Sequence, residues 1–125
     1  MIDYAFADGL AEITLNAPSR RNALGVDDLR ALAEAFDRAE ADAARAVLLH
    51  GEGPSFCAGR DISGVDPATD DVAGYLDDTL APLLRRMSAF PAPTFAAAHG
   101  ACLGVGLGLL VATDVVLVAD DARIG

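Results

Sequence analysis

The distribution of apolar residues at the start of the chain predicts a β-hairpin. Two short β-prone runs, Tyr4–Ala7 and Leu10–Asn16, are separated by the pair Asp8-Gly9. Residues of this kind tolerate a positive φ, which a two-residue hairpin turn requires. We therefore expect two antiparallel strands joined by a tight turn.

A stripe of apolar residues spaced three and four positions apart predicts an amphipathic helix after the hairpin. Asp27 and Asp28 precede the stripe, and carboxylates are favourable at the positive N-terminal end of a helix. We expect this helix to end near Ala44. The stripe consists of Leu29, Leu32, Ala33, Phe36 and Ala39.

A second apolar stripe predicts a helix from about Asp71 to Ala89. Pro82 falls inside this segment and should kink or interrupt it, because proline lacks the N–H that a helix interior needs. The acidic stretch from Ser63 to Asp71 contains glycine and proline and predicts a mobile surface connection. The stripe consists of Val72, Leu76, Leu80, Leu83, Leu84 and Met87.

Three compact apolar runs predict strands between and after these helices. They are Ala46–His50, Thr94–Ala98 and Val115–Ala119, and a short helix at Leu109–Ala112 separates the last two. The resulting order is β-β-α-β-α-β-α-β. This alternation favours an α/β architecture with mainly parallel strands.

Composition limits the classes of partner. The chain has 125 residues, 53% of them hydrophobic, which suits one domain with one core. Its nine arginines, with no lysine, face nineteen Asp and Glu residues for a net charge of −10, so the basic surface needed to bind nucleic acid is missing. Arg20, Arg21 and Arg60 lie in loop-like sequence, where they could be focused on an anionic cofactor.

The remaining local signals predict a reduced, cytoplasmic protein. Cys57 and Cys102 show neither CxxC spacing nor a histidine at ligand spacing, so we expect buried free thiols and no metal site. The N-terminus is acidic where a signal peptide would be basic. The apolar run Thr94–Ala119 is interrupted by glycines, His99 and Asp114, which argues against a membrane span.

Two glycine-rich loops follow predicted core strands and carry the candidate chemistry. Residues 51–61 read GEGPSFCAGRD and residues 99–108 read HGACLGVGLG. Glycine lets the backbone approach a ligand, and a helix starting after each loop would leave free N–H groups for a negatively charged atom. The alternative is that both loops are glycine-rich only for steric reasons. A dinucleotide-binding GxGxxG is disfavoured because its third glycine would fall at Leu109.

Three segments together resemble the signatures of the crotonase superfamily, also called the enoyl-CoA hydratase/isomerase family. They are residues 13–18 (ITLNAP) with 21–24 (RNAL), residues 51–62 (GEGPSFCAGRDI) and residues 99–106 (HGACLGVG). The resemblance implies an α/β crotonase-like spiral of ββα units that binds acyl-CoA. It covers residues 1–125 as about the first half of such a domain, so we expect the chain to stop before the C-terminal helical part.

The resemblance also implies specific site residues. It assigns the backbone N–H groups of Arg60 and Val105 to an oxyanion hole that holds the thioester carbonyl and stabilises an enolate. The acyl-CoA thioester would be the substrate, with coenzyme A as part of it, no permanently bound cofactor and no metal. Family members form homotrimers or hexamers. The residues expected to contact coenzyme A are Arg21, Ala23, Ala58, Gly59, Asp61, Ile62 and Gly104.

Several of these residues have simpler alternative roles. Arg21 could bind a phosphate, or it could be a solvated arginine that caps the next helix. Asp61 is expected to cap a helix that begins at that point. His50 and His99 flank strands and glycines, and we expect core or hydrogen-bonded roles for both.

One position departs from the hydratase pattern. Hydratases of this family carry a glutamate four residues after the glycine that corresponds to Gly104, and this chain has Gly108 there. The second carboxylate would lie beyond Gly125. Hydration needs an acid and a base, whereas moving a double bond or a proton needs one such group. We therefore expect an isomerase or another one-carboxylate enzyme; the alternatives are a non-catalytic acyl-CoA-binding fragment and a structural subunit without affinity for coenzyme A.

Overall fold

The expected hairpin forms the N-terminal edge of the fold. In the computed structural model, which describes residues 1–125, strand β1 (Ile2–Ala7) pairs antiparallel with strand β2 (Leu10–Leu15). Asp8 and Gly9 have φ values of 52° and 83°, so both turn residues occupy the left-handed region. This is the backbone geometry for which the pair was predicted.

Helix α1 (Val26–Ala41) follows, and its predicted apolar stripe faces the sheet. Leu29, Leu32 and Phe36 are at most 1% exposed. Phe36 also meets Phe90 edge to face, with ring centroids 5.7 Å apart. The helix ends slightly before the predicted residue, because the chain reverses with Ala43 at a left-handed φ of 53°.

The next strands extend the hairpin into one sheet. Strand β3 (Ala46–Gly51), strand β4 (Thr94–Ala98) and strand β6 (Val115–Val118) add in parallel, giving the order β1-β2-β3-β4-β6. The mainly parallel α/β architecture is therefore confirmed. Two-residue strands β5 (Ala101–Cys102) and β7 (Arg123–Ile124), which the sequence did not predict, pair with each other outside this sheet.

The second long helical segment lies where it was predicted but changes its winding. Helix α2 (Val72–Gly74) passes into a π-helical stretch, Tyr75–Leu80, and then into helix α3 (Ala81–Ser88). Pro82 lies in the first turn of α3. A proline ring collides with the carbonyl four residues back in a regular helix, and the wider π turn relieves this conflict. The expected interruption at Pro82 is confirmed.

No helix begins at Asp61, so the predicted capping role of that residue is wrong. Residues 52–71 contain only turns, bends and isolated bridges, and the next helix begins at Val72. Asp61 instead accepts hydrogen bonds from the Ser63 amide (2.9 Å) and hydroxyl (2.6 Å). A short polar side chain can satisfy its local backbone in this way without a helix.

The long apolar run near the C-terminus is divided among several short elements. Strands β4, β5 and β6 share it with helix α4 (Val105–Val111), which begins four residues before the predicted helix and directly after Gly104. None of the helices in the chain combines the length and apolar character needed to cross a membrane.

Candidate active site

The two glycine-rich loops lie side by side and are joined by main-chain hydrogen bonds. The Phe56 amide donates to the His99 carbonyl (2.8 Å), and the Cys57 amide donates to the Ala101 carbonyl (3.0 Å). The Leu103 amide donates back to the Cys57 carbonyl at 3.0 Å. Segments that are far apart in sequence thus form a single structure at one end of β3 and β4.

Glycine is required where the loops meet because their backbones nearly touch. A Cβ atom on Gly106 would lie 2.5 Å from the Cys57 carbonyl oxygen, a separation that real structures do not show. Gly59 and Gly104 adopt φ values of 122° and 55°, and a Cβ on Gly104 would lie 3.9 Å from the Gly59 Cα atom. Glycine tolerates both the positive φ and the close approach.

The amide of Arg60 faces away from the segment with which it pairs. Leu24 donates to the Gly59 carbonyl (2.9 Å) and accepts from the Asp61 amide (3.0 Å), as in a parallel bridge between Leu24 and Arg60. In this pattern Leu24 bonds to Gly59 and Asp61, the residues on either side of Arg60. The N–H group of Arg60 itself therefore points away from Leu24. The Arg60 amide donates no hydrogen bond within the chain.

The amide of Val105 is also unpaired. Val105 is the first residue of α4, a position whose N–H group has no acceptor within the helix. No turn or loop carbonyl accepts from it, although the neighbouring amides of Gly104 and Gly106 are bonded to Gly125 and Leu103. Two backbone donors, one from each loop, are therefore available.

Arg60 and Val105 line the same pocket, which has a volume of about 390 Å³. Gly104 and Gly108 lie in its wall beside them. The helical segment 72–80 supplies the remaining wall, and these residues were predicted only as a buried stripe or not singled out. The full lining is Arg60, Val72, Tyr75, Leu76, Leu80, Gly104, Val105 and Gly108.

The side chain of Arg60 is fixed against this wall. Its guanidinium group makes two hydrogen bonds to the Asp70 carboxylate (2.9 and 2.6 Å), and its carbon lies 4.3 Å from the centroid of the Tyr75 ring. The guanidinium lowers the pKa of Asp70 through these bonds. Burial raises the pKa of the Tyr75 hydroxyl to about 12, so this group is protonated at neutral pH.

The other residues expected to contact coenzyme A lie outside the pocket lining. Arg21 has a left-handed φ of 52°, and its carbonyl accepts from the Ala58 amide, which ties it to the first loop. Its side chain is exposed and forms neither a hydrogen bond nor an ion pair. It does not cap α1, since the Gly25 amide at that end donates to the Asp28 carboxylate.

The remaining members of this group are divided between loop and surface. The Ala23 carbonyl accepts a hydrogen bond from the Arg20 side chain (3.0 Å), and Ile62 is 69% exposed. Ala58 and Gly59 belong to the first loop, next to the Arg60 amide. The Ser63 hydroxyl and amide lower the pKa of the Asp61 carboxylate, and Arg20 adds a smaller effect.

Asn22 is a structural residue of the site that was not singled out from the sequence. It is 1% exposed, and its side-chain amide donates to the carbonyls of Glu52 and Ser55 at 2.9 Å each. Its side-chain oxygen accepts from the Ala17 amide at 2.7 Å. An asparagine at the end of the polar run that follows Pro18 was the available signal, because asparagine tolerates the left-handed φ of 55° found here.

The cysteines and histidines take the simple roles expected of them. Cys57 and Cys102 are buried and unpaired, and burial raises the pKa of the Cys57 thiol to about 11. His50 bonds to the Glu12 carboxylate (2.7 Å), and the His99 ring bonds to a backbone carbonyl. No three His, Cys, Asp or Glu residues are grouped as a metal site.

Comparison with known proteins places this arrangement in a family. The Enoyl-CoA hydratase/isomerase family model matches residues 5–125. The probable enoyl-CoA hydratase echA6 of Mycobacterium tuberculosis is 38% identical over 122 residues, covering 98% of this chain and 48% of the relative. The mitochondrial enoyl-CoA hydratase domain-containing protein 2 of Bos taurus is 39% identical over 119 residues, covering 94% of this chain and 40% of that protein.

Comparison of the fold with solved structures points to the same family. The crystal structure of a probable enoyl-CoA hydratase from Mycobacterium smegmatis superposes with a TM-score of 0.87 at 32% identity, covering 99% of this chain and 51% of that structure. The predicted crotonase-like fold is confirmed. The chain spans about half the length of the curated relatives it matches. On this evidence of sequence and fold, the chain belongs to the enoyl-CoA hydratase/isomerase family.

Proposed function

We propose that this chain provides the thioester-binding half of an enzyme that acts on acyl-CoA substrates by stabilising an enolate. In this proposal the amides of Arg60 and Val105 donate to the thioester oxygen. The observation that carries it is the presence of two unpaired backbone donors, one from each loop, beside the same pocket.

The chemistry of an enolate explains why such donors are useful. Negative charge develops on the thioester oxygen when a proton leaves the α-carbon, and fixed N–H groups stabilise that charge without reorganising. Each donor of this kind contributes about 3 kcal/mol to the transition state in comparable sites. Because only main-chain atoms take part, the arginine and valine side chains at these positions are compatible with the role.

The rest of the pocket suits the acyl group, while the exposed residues suit coenzyme A. Val72, Leu76 and Leu80 give the pocket an apolar wall. The unpaired guanidinium of Arg21 is available for a phosphate of coenzyme A. We assign the neighbouring contacts to Ala23, Ala58, Gly59, Asp61, Ile62 and Gly104.

The proposed reaction is a double-bond or proton shift, as in an isomerase or another one-carboxylate enzyme. None of the eight residues that line the pocket is an aspartate or a glutamate, and Gly108 stands where a hydratase would carry one of its two carboxylates. A single carboxylate from elsewhere in the protein would be enough for a proton shift. A homotrimer or hexamer and a cytoplasmic location stay predictions for the natural-length protein.

Binding of a saturated substrate analogue tests the thioester function. We expect butyryl-CoA to raise the thermal unfolding midpoint of the natural-length protein, since a ligand at about 100 times its Kd stabilises the folded state by about 2.7 kcal/mol. Arg21→Glu should reduce the shift. Arg85→Glu is the matched control, because Arg85 is also exposed and unpaired but lies in helix α3, whereas Arg21 is bonded through its carbonyl to the first loop. No shift with the unmodified protein would contradict the proposal.

An exchange experiment with butyryl-CoA distinguishes an enzyme from a protein that binds acyl-CoA without turnover. An enzyme that stabilises the enolate should exchange the α-protons of butyryl-CoA with deuterium in D₂O, as followed by NMR. Binding without exchange would support the non-catalytic alternative, which the absence of carboxylates from the pocket lining favours. Neither binding nor exchange would favour the structural subunit.

A further inference from the structure

Tyr75 makes a contact that the proposed mechanism does not yet use. Its side chain is 4% exposed, and its hydroxyl donates to the Leu24 carbonyl at 3.0 Å across 51 positions of sequence. The contact joins the π-helical stretch to the segment that pairs with the first loop. A buried hydroxyl that donates to one chosen carbonyl fixes the position of that carbonyl.

The Leu24 carbonyl is the group that orients the Arg60 peptide. It also accepts from the Asp61 amide at 3.0 Å, while the Leu24 amide donates to Gly59 at 2.9 Å. These two bonds bracket Arg60 and set the direction in which its free N–H group points. A shift of the Leu24 carbonyl would therefore rotate the Arg60 amide.

The ring of Tyr75 makes a second, independent contact with the same residue. The Arg60 guanidinium carbon lies 4.3 Å from the ring centroid, and Asp70 holds the guanidinium by two hydrogen bonds. An arginine placed over an aromatic face is attracted by the negative face of the ring. Tyr75 thus holds Arg60 at both ends, through the backbone by its hydroxyl and through the side chain by its ring.

We propose that Tyr75 is a positioning residue that aims the Arg60 amide at the thioester oxygen. This inference rests on the proposed oxyanion function and adds a residue to it. Tyr75 need not contact the reacting atoms, because its effect passes through Leu24. Its phenol stays protonated at neutral pH and can act as a donor throughout turnover.

Tyr75→Phe in the natural-length protein tests the proposal, because it removes the hydroxyl and keeps the ring. The matched control is Tyr4→Phe, which removes the hydroxyl of the other tyrosine within residues 1–125, one that donates to Asp42 at an exposed position. We expect the rate of α-proton exchange at saturating butyryl-CoA to fall about tenfold, a part of the 100- to 1,000-fold that losing a whole oxyanion donor costs. The half-saturating concentration should change less than about twofold.

The infrared spectrum supplies a readout that a merely structural role would not change. Butyryl-CoA labelled with ¹³C at the thioester carbonyl should show a lowered carbonyl stretching frequency when two amides donate to its oxygen. Tyr75→Phe should reduce this lowering, and Tyr4→Phe should leave it unchanged. An unreduced lowering and an unchanged exchange rate in folded Tyr75→Phe would overturn the role of Tyr75 while leaving the proposed function intact. No lowering in the unmodified protein would overturn both.

A milder change decides the question if Tyr75→Phe does not fold. Site-specific incorporation of 3-fluorotyrosine at position 75 of the natural-length protein, through a suppressed stop codon, alters Tyr75 alone. The fluorine makes the hydroxyl a stronger donor to Leu24, so the carbonyl stretch of bound butyryl-CoA should differ from that in the unfluorinated protein. Identical spectra would overturn the proposal.

Discussion

At the scale of one residue, the proposed choice of reaction rests on Gly108. A Cβ atom at this position would have the Leu84 Cδ1 atom as its nearest neighbour, at an ordinary contact distance of 3.6 Å. The fold therefore accommodates a Cβ atom there, so contact at the Cβ position does not explain the glycine. The lack of a carboxylate at Gly108 has a direct consequence for the proposed reaction.

We expect the natural-length protein to hydrate crotonyl-CoA slowly compared with its rate of α-proton exchange. General acid–base assistance is worth about 100- to 10,000-fold, and Gly108 supplies none. Spectrophotometric loss of the conjugated enoyl-thioester absorbance measures hydration. Gly108→Glu should raise the hydration rate, whereas Gly108→Gln, with a side chain of about the same volume as glutamate, should not. Efficient hydration by the unmodified protein would contradict the assignment of Gly108 to the position of a hydratase carboxylate.

Cys57 provides a test of pH dependence at the same scale. Burial raises the pKa of its thiol to about 11, whereas an exposed thiol titrates near about 8.5. The unfolded chain therefore loses its thiol proton first as the pH rises. The contribution of the thiol to the free energy of unfolding is fully present below the pKa of the unfolded chain. It is lost as the pH rises from that value to the pKa of the folded protein, with a slope of up to about 1.4 kcal/mol per pH unit.

Urea unfolding at several pH values between 8.5 and 10 measures this loss, a window set by the two thiol pKa values of about 8.5 and 11. We expect Cys57→Ala to make the decline in the free energy of unfolding shallower, even though the substitution also lowers stability by creating a cavity. Thr69→Ala, an exposed loop substitution, should leave the decline unchanged. An equal decline in Cys57→Ala would show that the thiol does not titrate as inferred.

At the scale of elements, the side chain of Asn22 holds three chain segments together. It connects the backbone at Ala17 with the first loop at Glu52 and Ser55, and the same loop carries the Arg60 amide. Leaving a buried backbone group without its partner costs about 1–3 kcal/mol. The position of the loop therefore depends on one asparagine.

Asn22→Ala should lower the free energy of unfolding by about 3 kcal/mol, because it leaves one buried and two partly buried backbone groups without their partner and places alanine at a positive φ. Asn16→Ala should cost less than about 1 kcal/mol, since its side-chain amide donates only to the partly exposed Asp3 carboxylate. Denaturant unfolding of both variants measures the difference. Equal costs would show that the Asn22 contacts contribute little.

At the scale of the whole molecule, apolar side chains are exposed along the last strand of the sheet. Leu117 and Val118 in β6 are 57% and 58% exposed, and β6 lies at the edge of the sheet. Val111 in the adjacent α4 is 72% exposed. An exposed apolar edge strand can pair with other chains.

The 125-residue chain should therefore self-associate when it is produced alone. Leu117→Lys should raise the monomer fraction, because a charge on an edge strand opposes pairing. Thr69→Lys adds the same charge in an exposed loop and should have little effect. Light scattering after size-exclusion chromatography checks both, and an unmodified chain that stays monomeric would contradict the prediction.

Local patterns in the sequence were sufficient to predict most of the elements. The stripe of Leu29, Leu32 and Phe36, the positive-φ pair Asp8-Gly9 and the break at Pro82 each depend on neighbouring residues. The structure confirms all three. The family was predictable as well, because the order and spacing of three motifs are properties of the sequence itself.

The candidate site could not be predicted in full from the sequence, because it depends on contacts between distant segments that local patterns do not encode. The pairing of Leu24 with Arg60, the joining of the two loops and the hydroxyl bond of Tyr75 all connect distant segments. The second stripe predicted burial from Val72 to Met87, yet part of it forms a pocket wall. The sequence by itself determined the periodic elements and the flexible glycines, because these follow from short-range backbone preferences. Only the tertiary structure decided which amides stay unpaired, because that depends on where every competing carbonyl lies after the chain has folded.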